Sequence, residues 1–306
     1  QKGGSEPSYE RDAKQHVMVP AHARPAHGRL RAKLSKIQQW NESSDLNPVS
    51  EGTESRGIIT SGVTWNHVRE AAPEAPVLKL GMSHPLPYEH IRSFAEKFDR
   101  CIVVEEGAPY LATQLRAEGI EIEDKHEDFR LGELNVQRVR SILDGGPEET
   151  QESPAGKAPE LCPGCPHRKT FSVLSDLDCT VTGDIGCYTL GVLPPYEAMD
   201  TCLCMGASIG VGLGLRHVLP PEQARRVVSV IGDSTFVHSG LTGLVEMVYN
   251  PPPTGHVVMV LDNGTTAMTG LQEHPATGRS LDGSAAARLS IEDVSRSIGV
   301  ERVSVV

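Results

Sequence analysis

Two short polar segments of this sequence each follow an apolar run and offer oxygen ligands for a hard cation. Gly232-Asp233-Ser234 follows the branched residues 227–231, and Asp262-Asn263 follows the apolar residues 257–261. Carboxylate and amide oxygens are the ligands that Mg2+ prefers, and the ion usually shares them with a phosphate. The pattern therefore indicates magnesium-dependent binding of a phosphate group. The alternative is two ordinary turns at strand ends, which Gly-Asp and Asp-Asn-Gly also favour.

Such a site requires the two segments to end neighbouring strands of one sheet. The runs 227–231 and 257–261 predict buried strands, and residues 240–249 between them predict a helix, which together make a β-α-β unit. Open sheets of this class bind ligands at the carboxyl ends of their strands. The order Gly-Asp-Ser and then Asn, at this distance, is similar to the signature of proteins that bind thiamine diphosphate.

A further segment, residues 205–215, is rich in small residues and predicts a helix. Gly206, Gly210 and Gly214 would fall on one face of that helix. Glycine is unfavourable inside helices, so we expect this face to lie against another backbone or against a cofactor.

Composition limits the class of protein. The chain has 306 residues, a net charge of −11 and 4% aromatic residues, which argues against nucleic-acid binding because that function needs a basic face and stacking rings. No apolar run reaches the roughly 20 residues of a membrane-spanning helix, so we expect no membrane partner. The seven cysteines, an odd number, favour a reducing compartment, and we predict a cytoplasmic protein.

The order of predicted elements divides the chain into two α/β domains with mostly parallel sheets flanked by helices. Strand and helix patterns alternate over residues 56–146, which is typical of a parallel sheet. Residues 1–55 are expected to be a connecting segment, the Pro-, Gly- and Glu-rich residues 147–160 a linker, and residues 161–306 the second domain. The chain lacks an initial Met and ends in a strand-like run, 303–306, so we expect a piece of a longer protein.

The cysteines of the second domain have metal-ligand spacing. Cys162 and Cys165 are arranged as C-x2-C, and Cys187, Cys202 and Cys204 follow. Cys162 and Cys165 could ligate an iron–sulfur cluster together with Cys187. They could instead bind zinc together with Cys202 and Cys204. As a third alternative, the pair alone could shape a tight turn near a cofactor. Spacing does not separate these three interpretations, because zinc and clusters share thiolate ligands.

Six motifs occur in an order that resembles one enzyme family. They are Leu161-Cys162-Pro163-Gly164-Cys165-Pro166-His167, Gly183-Asp184-Ile185-Gly186-Cys187, Cys204-Met205-Gly206-Ala207-Ser208, residues 232–240, residues 262–270 and Gln272-Glu273-His274-Pro275. Together with residues 57–62 and 103–106 they resemble the alpha (large) subunit of indolepyruvate ferredoxin oxidoreductase, of the thiamine diphosphate-dependent 2-oxoacid:ferredoxin oxidoreductase family. The resemblance covers most of residues 10–306. It implies a middle domain like the transketolase C-terminal domain, followed by a thiamine diphosphate-binding fold.

This resemblance implies an enzyme that oxidatively decarboxylates arylpyruvates such as indolepyruvate on magnesium-bound thiamine diphosphate. Electrons would pass through [4Fe-4S] clusters to ferredoxin, and the acyl group would leave as a coenzyme A thioester. A smaller (beta) subunit would be the partner. The glutamate that activates the cofactor is expected before residue 1 and most cluster cysteines after residue 306, so this chain alone is expected to be inactive.

The resemblance also implies roles for individual residues. Asp233, the Asn263 side chain and the Thr265 carbonyl would ligate Mg2+. Gly232 and Ser234 would lie against the diphosphate, while the thiamine would be bordered by Gly186, Cys187, Met205, Gly206, Ala207 and Ser208. His238 could face the substrate or only support packing. Cys162, Cys165 and Cys187 match cluster ligands of related pyruvate:ferredoxin oxidoreductases, but the fourth cysteine is missing here.

Two other functions remain open from the sequence. A non-oxidative thiamine diphosphate-dependent decarboxylase or carboligase would keep Asp233 and Asn263 but would not need electron acceptors. A non-catalytic α/β binding module with a zinc turn would have no reason to place magnesium-type ligands at two strand ends. Stabilisation by thiamine diphosphate with Mg2+ would separate the module from the enzymes.

Overall fold

The first half of the chain folds around a five-stranded sheet of short, apolar strands. The computed structural model describes residues 9–146 and 159–306, and contacts divide the chain into Gln1–Ser153 and Pro154–Val306. The strands of the first unit are β1 (Val49–Ser50), β2 (Arg56–Ser61), β3 (Val77–Leu80), β4 (Arg100–Val104) and β5 (Glu123–Asp124). Their order is β1-β3-β2-β4-β5, and only β1 runs antiparallel to its neighbour.

Helices pack on both faces of this sheet. They are α3 (Thr64–Ala71) and α6 (Val136–Asp144) on one face and α4 (Tyr88–Ala95) and α5 (Tyr110–Ala117) on the other. α1 (Ala13–His16) and α2 (Pro20–Asn41) precede the sheet and are largely exposed. Successive strand residues point to opposite faces, so Ile59 and Val103 join one apolar core while Ile58 and Ile102 join the other. The predicted α/β architecture with parallel strands is confirmed for this unit.

The first unit differs in one respect from the sequence prediction. The expected connecting segment 1–55 contains β1, which forms one edge of the sheet, while β5 forms the opposite edge. Only two residues of β1 and two of β5 pair with the sheet, so neither carries a readable apolar run. Most of the predicted linker, residues 147–158, lies outside the described residues, and the domain boundaries stay a prediction.

A four-stranded parallel sheet organises the second unit. Its strands are β6 (Thr180–Gly183), β7 (Thr201–Cys202), β8 (Val227–Gly232) and β9 (Val257–Leu261), in the order β7-β6-β8-β9. The helices are α7 (His167–Asp176), α8 (Ala207–Val218), α9 (Pro221–Ala224), α10 (Asp233–Thr235), α11 (Leu241–Tyr249) and α12 (Ile291–Ile298). The expected β-α-β unit is present as β8, α11 and β9.

One strand prediction in this unit is right in position but wrong in burial, and another is wrong. Strand β9 is only half-buried, and its first residue Val257 is 53% exposed, because it pairs with β8 alone among the described strands and forms an edge of the sheet. Residues 303–306 form no strand and are largely exposed. The branched residues that suggested a strand there have no neighbouring strand in the described sheet.

Helix α8 packs on the sheet through a different glycine from those predicted. A Cβ on Gly212 would lie 2.3 Å from Ser229 Oγ and 2.7 Å from Thr182 Oγ1, whereas Gly210 and Gly214 face open space. Gly206 precedes the helix, with φ +87°, and lies against Ser239. The prediction failed because the helix begins at Ala207 and turns its Ser208, Gly212 and Arg216 face inward.

A small polar network lies between α8 and the sheet. Thr182 and Ser229 both donate hydrogen bonds to the Ser208 carbonyl at 2.9 Å, and Ser229 Oγ is 2.8 Å from His256 Nε2. Burial lowers the pKa of His256 to about 4, and the nearby Arg216 adds to that effect. This ring is therefore neutral at physiological pH.

None of the helices within the described residues has the length and apolar character needed to cross a bilayer.

Candidate functional site

The predicted oxygen ligands come together at the carboxyl edge of the second sheet. Gly232 of β8 pairs with Leu261 of β9, so the residues that follow them, Asp233 and Asp262, leave the sheet side by side. Strands β6 and β8 are also parallel neighbours, and the segment after Gly183 reaches the same edge. This edge is where open α/β sheets bind their ligands.

Asp233 is a buried carboxylate held by three donors. It is 2% exposed, and its Oδ1 accepts the Ser234 N–H at 2.9 Å. Its Oδ2 accepts the Gly264 N–H at 2.9 Å and lies 3.1 Å from His274 Nε2. Burial raises the pKa of Asp233 and the neighbouring Asp262 carboxyl adds to the rise, against the lowering effect of its amide donors and His274. The Asp233 carboxylate is thus held in place, but the protein groups around it do not fully compensate its negative charge.

The loop after β9 is tied onto the end of β8. Asn263 Oδ1 accepts the Thr265 N–H at 3.1 Å, and Asp262 Oδ1 accepts the Gly264 N–H at 3.0 Å. Ser234 Oγ lies 2.6 Å from Thr266 Oγ1, which links the two segments directly. Gly264 has φ +67°, a conformation that favours glycine, so the tight turn presents the Asn263 side chain and the Thr265 backbone beside Asp233.

Tyr188 shapes the floor of this cleft. A Cβ on Gly186 would lie 2.4 Å from the Tyr188 ring, and one on Gly232 would lie 2.5 Å from it. The hydroxyl donates to the Ile185 carbonyl at 2.7 Å, and burial raises the pKa of Tyr188 to about 12. Both predicted glycines are therefore required by the same buried ring. Sequence reasoning missed Tyr188, since a tyrosine beside a half-buried cysteine is indistinguishable from an ordinary core residue.

Asp184 fixes the turn into α8. It is fully buried, and its carboxylate accepts the N–H groups of Gly206 at 2.8 Å and Ser208 at 3.0 Å. The turn thereby holds Met205 over the cleft. The motif around Asp184 was noted from sequence, but the role of its carboxylate was not, because the amides that it binds lie 22 and 24 residues further along the chain.

Eight of the eleven predicted cofactor-binding residues line one cleft, and three do not. Ile185, Tyr188, Thr266 and Met268 contribute to the lining as well. The predicted residues that line it are Gly186, Cys187, Met205, Gly232, Asp233, Ser234, Asn263 and Thr265. Gly206, Ala207 and Ser208 lie behind it, where they form the start of α8. His238 is exposed on the π-helical turn Phe236–Gly240 and is not part of the lining, so its substrate role stays a prediction.

Cys162 and Cys165 lie in a tight turn of the backbone. The Cys165 N–H donates to the Cys162 carbonyl at 3.1 Å, immediately before α7, and Cys202 Sγ donates to the Asp184 carbonyl at 3.4 Å. Over residues 9–146 and 159–306, no group of three or more His, Cys, Asp or Glu side chains could hold a metal ion alone. The tight-turn interpretation describes this geometry. The four cysteines of the predicted zinc site are not arranged as a metal-binding group. Cluster ligation by Cys162, Cys165 and Cys187 stays a prediction.

Comparison with known proteins agrees with the motifs. Residues 184–306 match the family described as "Thiamine pyrophosphate enzyme, C-terminal TPP binding domain", a range that contains the cleft. The chain is 40% identical to "Indolepyruvate oxidoreductase subunit IorA" of Archaeoglobus fulgidus, over 100% of this chain and 52% of the relative. The subunit of the same name from Methanothermobacter thermautotrophicus is 36% identical, over 99% of this chain and 53% of the relative.

The chain therefore spans about half the length of the curated relatives that it matches. The resemblance predicted from the motifs is confirmed, and so is a thiamine diphosphate-binding fold in the second unit. Among solved structures, a 2-oxoglutarate:ferredoxin oxidoreductase from Magnetococcus marinus matches 42% of this chain and 23% of its own at 21% identity. Its TM-score is 0.34, which is too low to support an argument.

Proposed function

We propose that this chain forms the cofactor-binding part of a cytoplasmic oxidoreductase subunit that oxidatively decarboxylates arylpyruvates, with indolepyruvate as the expected substrate. Its similarity to IorA subunits along its whole length and the match to a thiamine diphosphate-binding domain support this proposal. Coenzyme A would accept the acyl group. Electrons would pass through [4Fe-4S] clusters to ferredoxin, and a smaller (beta) subunit would complete the enzyme.

The observation that carries the proposal is the buried carboxylate of Asp233 at the end of the central strand. Its raised pKa means that protein groups alone compensate its charge incompletely. The described residues form no closed metal cage, but they offer a carboxylate, an amide oxygen and backbone carbonyls. Mg2+ is commonly bound by one or two carboxylates together with phosphate oxygens, so this donor set fits magnesium diphosphate.

The predicted site residues would have different roles in that arrangement. Asp233, the Asn263 side chain and the Thr265 carbonyl would hold the cation, while Gly232 and Ser234 would lie against the diphosphate. Gly186, Cys187 and Met205 would border the thiamine rings. Gly206, Ala207 and Ser208 would act through the turn that carries Met205, since Asp184 binds two of their amides.

When bound, thiamine diphosphate supplies a nucleophilic carbon and an electron sink for decarboxylation. The residues of this chain would bind and orient it. The diphosphate would be fixed at the cation, and Tyr188 would hold the two glycine-containing strand ends at their present separation. Ile185, Met205 and Met268 give the cleft an apolar lining, which would keep water away from the reacting end of the cofactor.

The proposal is tested by anaerobic assay of the intact protein produced with its partner subunit. Reduction of a viologen dye is followed with thiamine diphosphate, Mg2+ and coenzyme A, using indolepyruvate, phenylpyruvate and pyruvate in turn. We expect dye reduction that requires coenzyme A and prefers the aryl acids. Asp233→Ala should lower the rate more than about 100-fold, because a direct ligand should matter at least as much as the groups that orient it.

Asp176→Ala is the matched control, because Asp176 is an exposed carboxylate at the end of α7, away from the cleft. It should retain the wild-type rate. Carbon dioxide release without dye reduction would instead favour the non-oxidative decarboxylase. Absence of both reactions with all three acids would reject the proposed activity.

A further inference from the structure

His274 is a buried side chain of the site for which the proposed function gives no role. It belongs to the motif Gln272-Glu273-His274-Pro275, and its Nε2 lies 3.1 Å from Asp233 Oδ2. Both side chains are almost completely inaccessible to solvent. The two residues are 41 positions apart in the sequence, and the loop after β9 brings them together in the fold.

The hydrogen bonds of the His274 ring define its tautomer. The Ala276 N–H points at Nδ1 from 3.4 Å, which makes Nδ1 the acceptor. Nε2 then carries the ring hydrogen and donates it to Asp233. A neutral histidine in this tautomer acts as a directional donor to the carboxylate.

The backbone of the segment that carries His274 is also held by hydrogen bonds. Thr277 donates its N–H at 2.9 Å and its hydroxyl at 3.0 Å to the His274 carbonyl. The Leu289 N–H donates to the Pro275 carbonyl at 2.9 Å, and Arg288 Nε donates to the Ala276 carbonyl at 2.9 Å. The position of His274 is therefore set by segments outside the cation site.

The donors to Asp233 are divided unequally between its two oxygens. Oδ2 receives both the Gly264 N–H and His274 Nε2, whereas Oδ1 receives only the Ser234 N–H. A carboxylate oxygen has two lone pairs, so the described donors fill Oδ2 and leave one lone pair of Oδ1. Oδ1 is therefore the oxygen of Asp233 that remains available to a cation.

We propose that His274 is a positioning residue of the cation site: its Nε2–H occupies Asp233 Oδ2 and directs Oδ1 toward the metal. The inference rests on the proposed function, because it assumes that Asp233 ligates a divalent cation. Groups that orient metal ligands in this way contribute strongly to affinity, and their loss costs about 10- to 100-fold.

The test compares two kinds of substitution in the intact protein. His274→Leu removes the donor at similar size, and His274→Asn has an amide too short to reach Asp233. His274→Gln can place an amide N–H near the position of Nε2. Mn2+ binding is measured with a fixed excess of thiamine diphosphate, from the loss of the free-ion electron paramagnetic resonance signal and the line shape of the bound ion.

We expect His274→Leu and His274→Asn to bind Mn2+ about 10- to 100-fold more weakly than wild type, with an altered bound-ion spectrum. His274→Gln should restore both affinity and spectrum, which a purely structural role would not predict. His217→Gln is the control for the same chemical change, since His217 is exposed on α8 and contacts only Asn250 among its described hydrogen-bond partners.

Two results would overturn the inference. One is wild-type affinity in His274→Leu and His274→Asn; the other is equal weakening in all three variants, which would assign the effect to loop packing. Melting temperatures without metal identify a variant that fails to fold. If either His274→Leu or His274→Asn fails to fold, the other one is compared with His274→Gln. If wild type itself binds no Mn2+ with thiamine diphosphate, the proposed function fails instead.

Discussion

His256 shows how a single half-buried residue makes the stability of this protein depend on pH. Its pKa is about 4 in the folded protein against an ordinary value of 6.5, mainly because of burial. Between these values the unfolded chain binds more protons than the folded one, so stability falls as the pH drops. The contribution of His256 is complete above pH 6.5 and is lost as the pH falls toward 4.

We expect this loss to reach about 3 kcal/mol, since each unit of pKa difference corresponds to about 1.4 kcal/mol. His256→Gln, which can keep a contact with Ser229 but cannot titrate, should show a smaller fall in the free energy of unfolding between pH 7 and pH 4.5. Urea denaturation at a series of pH values measures it, with the exposed His217→Gln as control. Equal pH dependence in all three proteins would contradict the prediction.

Single residues also explain which parts of the site were visible in the sequence. Asp233 and Asn263 could be predicted because each lies within two residues of the end of an apolar strand, so local pattern alone places them at one edge of the sheet. His274, Asp184 and Tyr188 could not, because their roles depend on contacts with atoms distant in the sequence or on the space beside a glycine. Spacing along the chain carries no information about such contacts.

At the scale of elements, the register of α8 on the sheet determines which glycines are needed. Gly212 lies over Ser229 and Thr182, whereas Gly214 faces open space. The sequence predicted the helix, but the face that it turns toward the sheet carries Gly212 rather than Gly210 and Gly214. Composition indicates that a helix forms here. The face that the helix turns toward the sheet depends on packing, which the sequence does not specify.

Gly212→Ala should destabilise the protein by about 1–3 kcal/mol, because its Cβ would overlap the Ser229 and Thr182 hydroxyls. Gly214→Ala should stabilise it by roughly 0.5–1 kcal/mol, because alanine is the better helix former where there is room. Urea denaturation of both variants measures the difference. Equal effects from the two substitutions would show that α8 does not pack as described.

For the whole molecule, the predicted α/β class and the two parallel sheets agree with the structure, while the boundaries between domains stay a prediction. The second sheet carries the cleft, and its strands β6, β8 and β9 supply the site from their carboxyl ends. The first unit has two apolar cores of its own. A ligand bound in the cleft should therefore act most strongly on the second unit.

Hydrogen exchange of the intact protein tests this expectation. Thiamine diphosphate with Mg2+ should slow amide exchange most in peptides covering residues 232–235 and 262–277, and more than in β2 or β4. At ligand concentrations of 100 times Kd, the stabilisation should approach about 2.7 kcal/mol. Mg2+ alone is the control. Slowing that is confined to the first unit would contradict the assigned location of the site.

Asp184 has a consequence for how the cofactor is loaded. Many α/β proteins receive phosphates on the free amides at a helix N-terminus. Here the carboxylate of Asp184 already binds the Gly206 and Ser208 amides at the start of α8, so an approaching anion meets negative charge instead. If Mg2+ and the diphosphate bind as proposed, the cation would have to neutralise the diphosphate, and the two should enter and leave as one complex. A chelator that removes the metal should strip the whole cofactor from the protein.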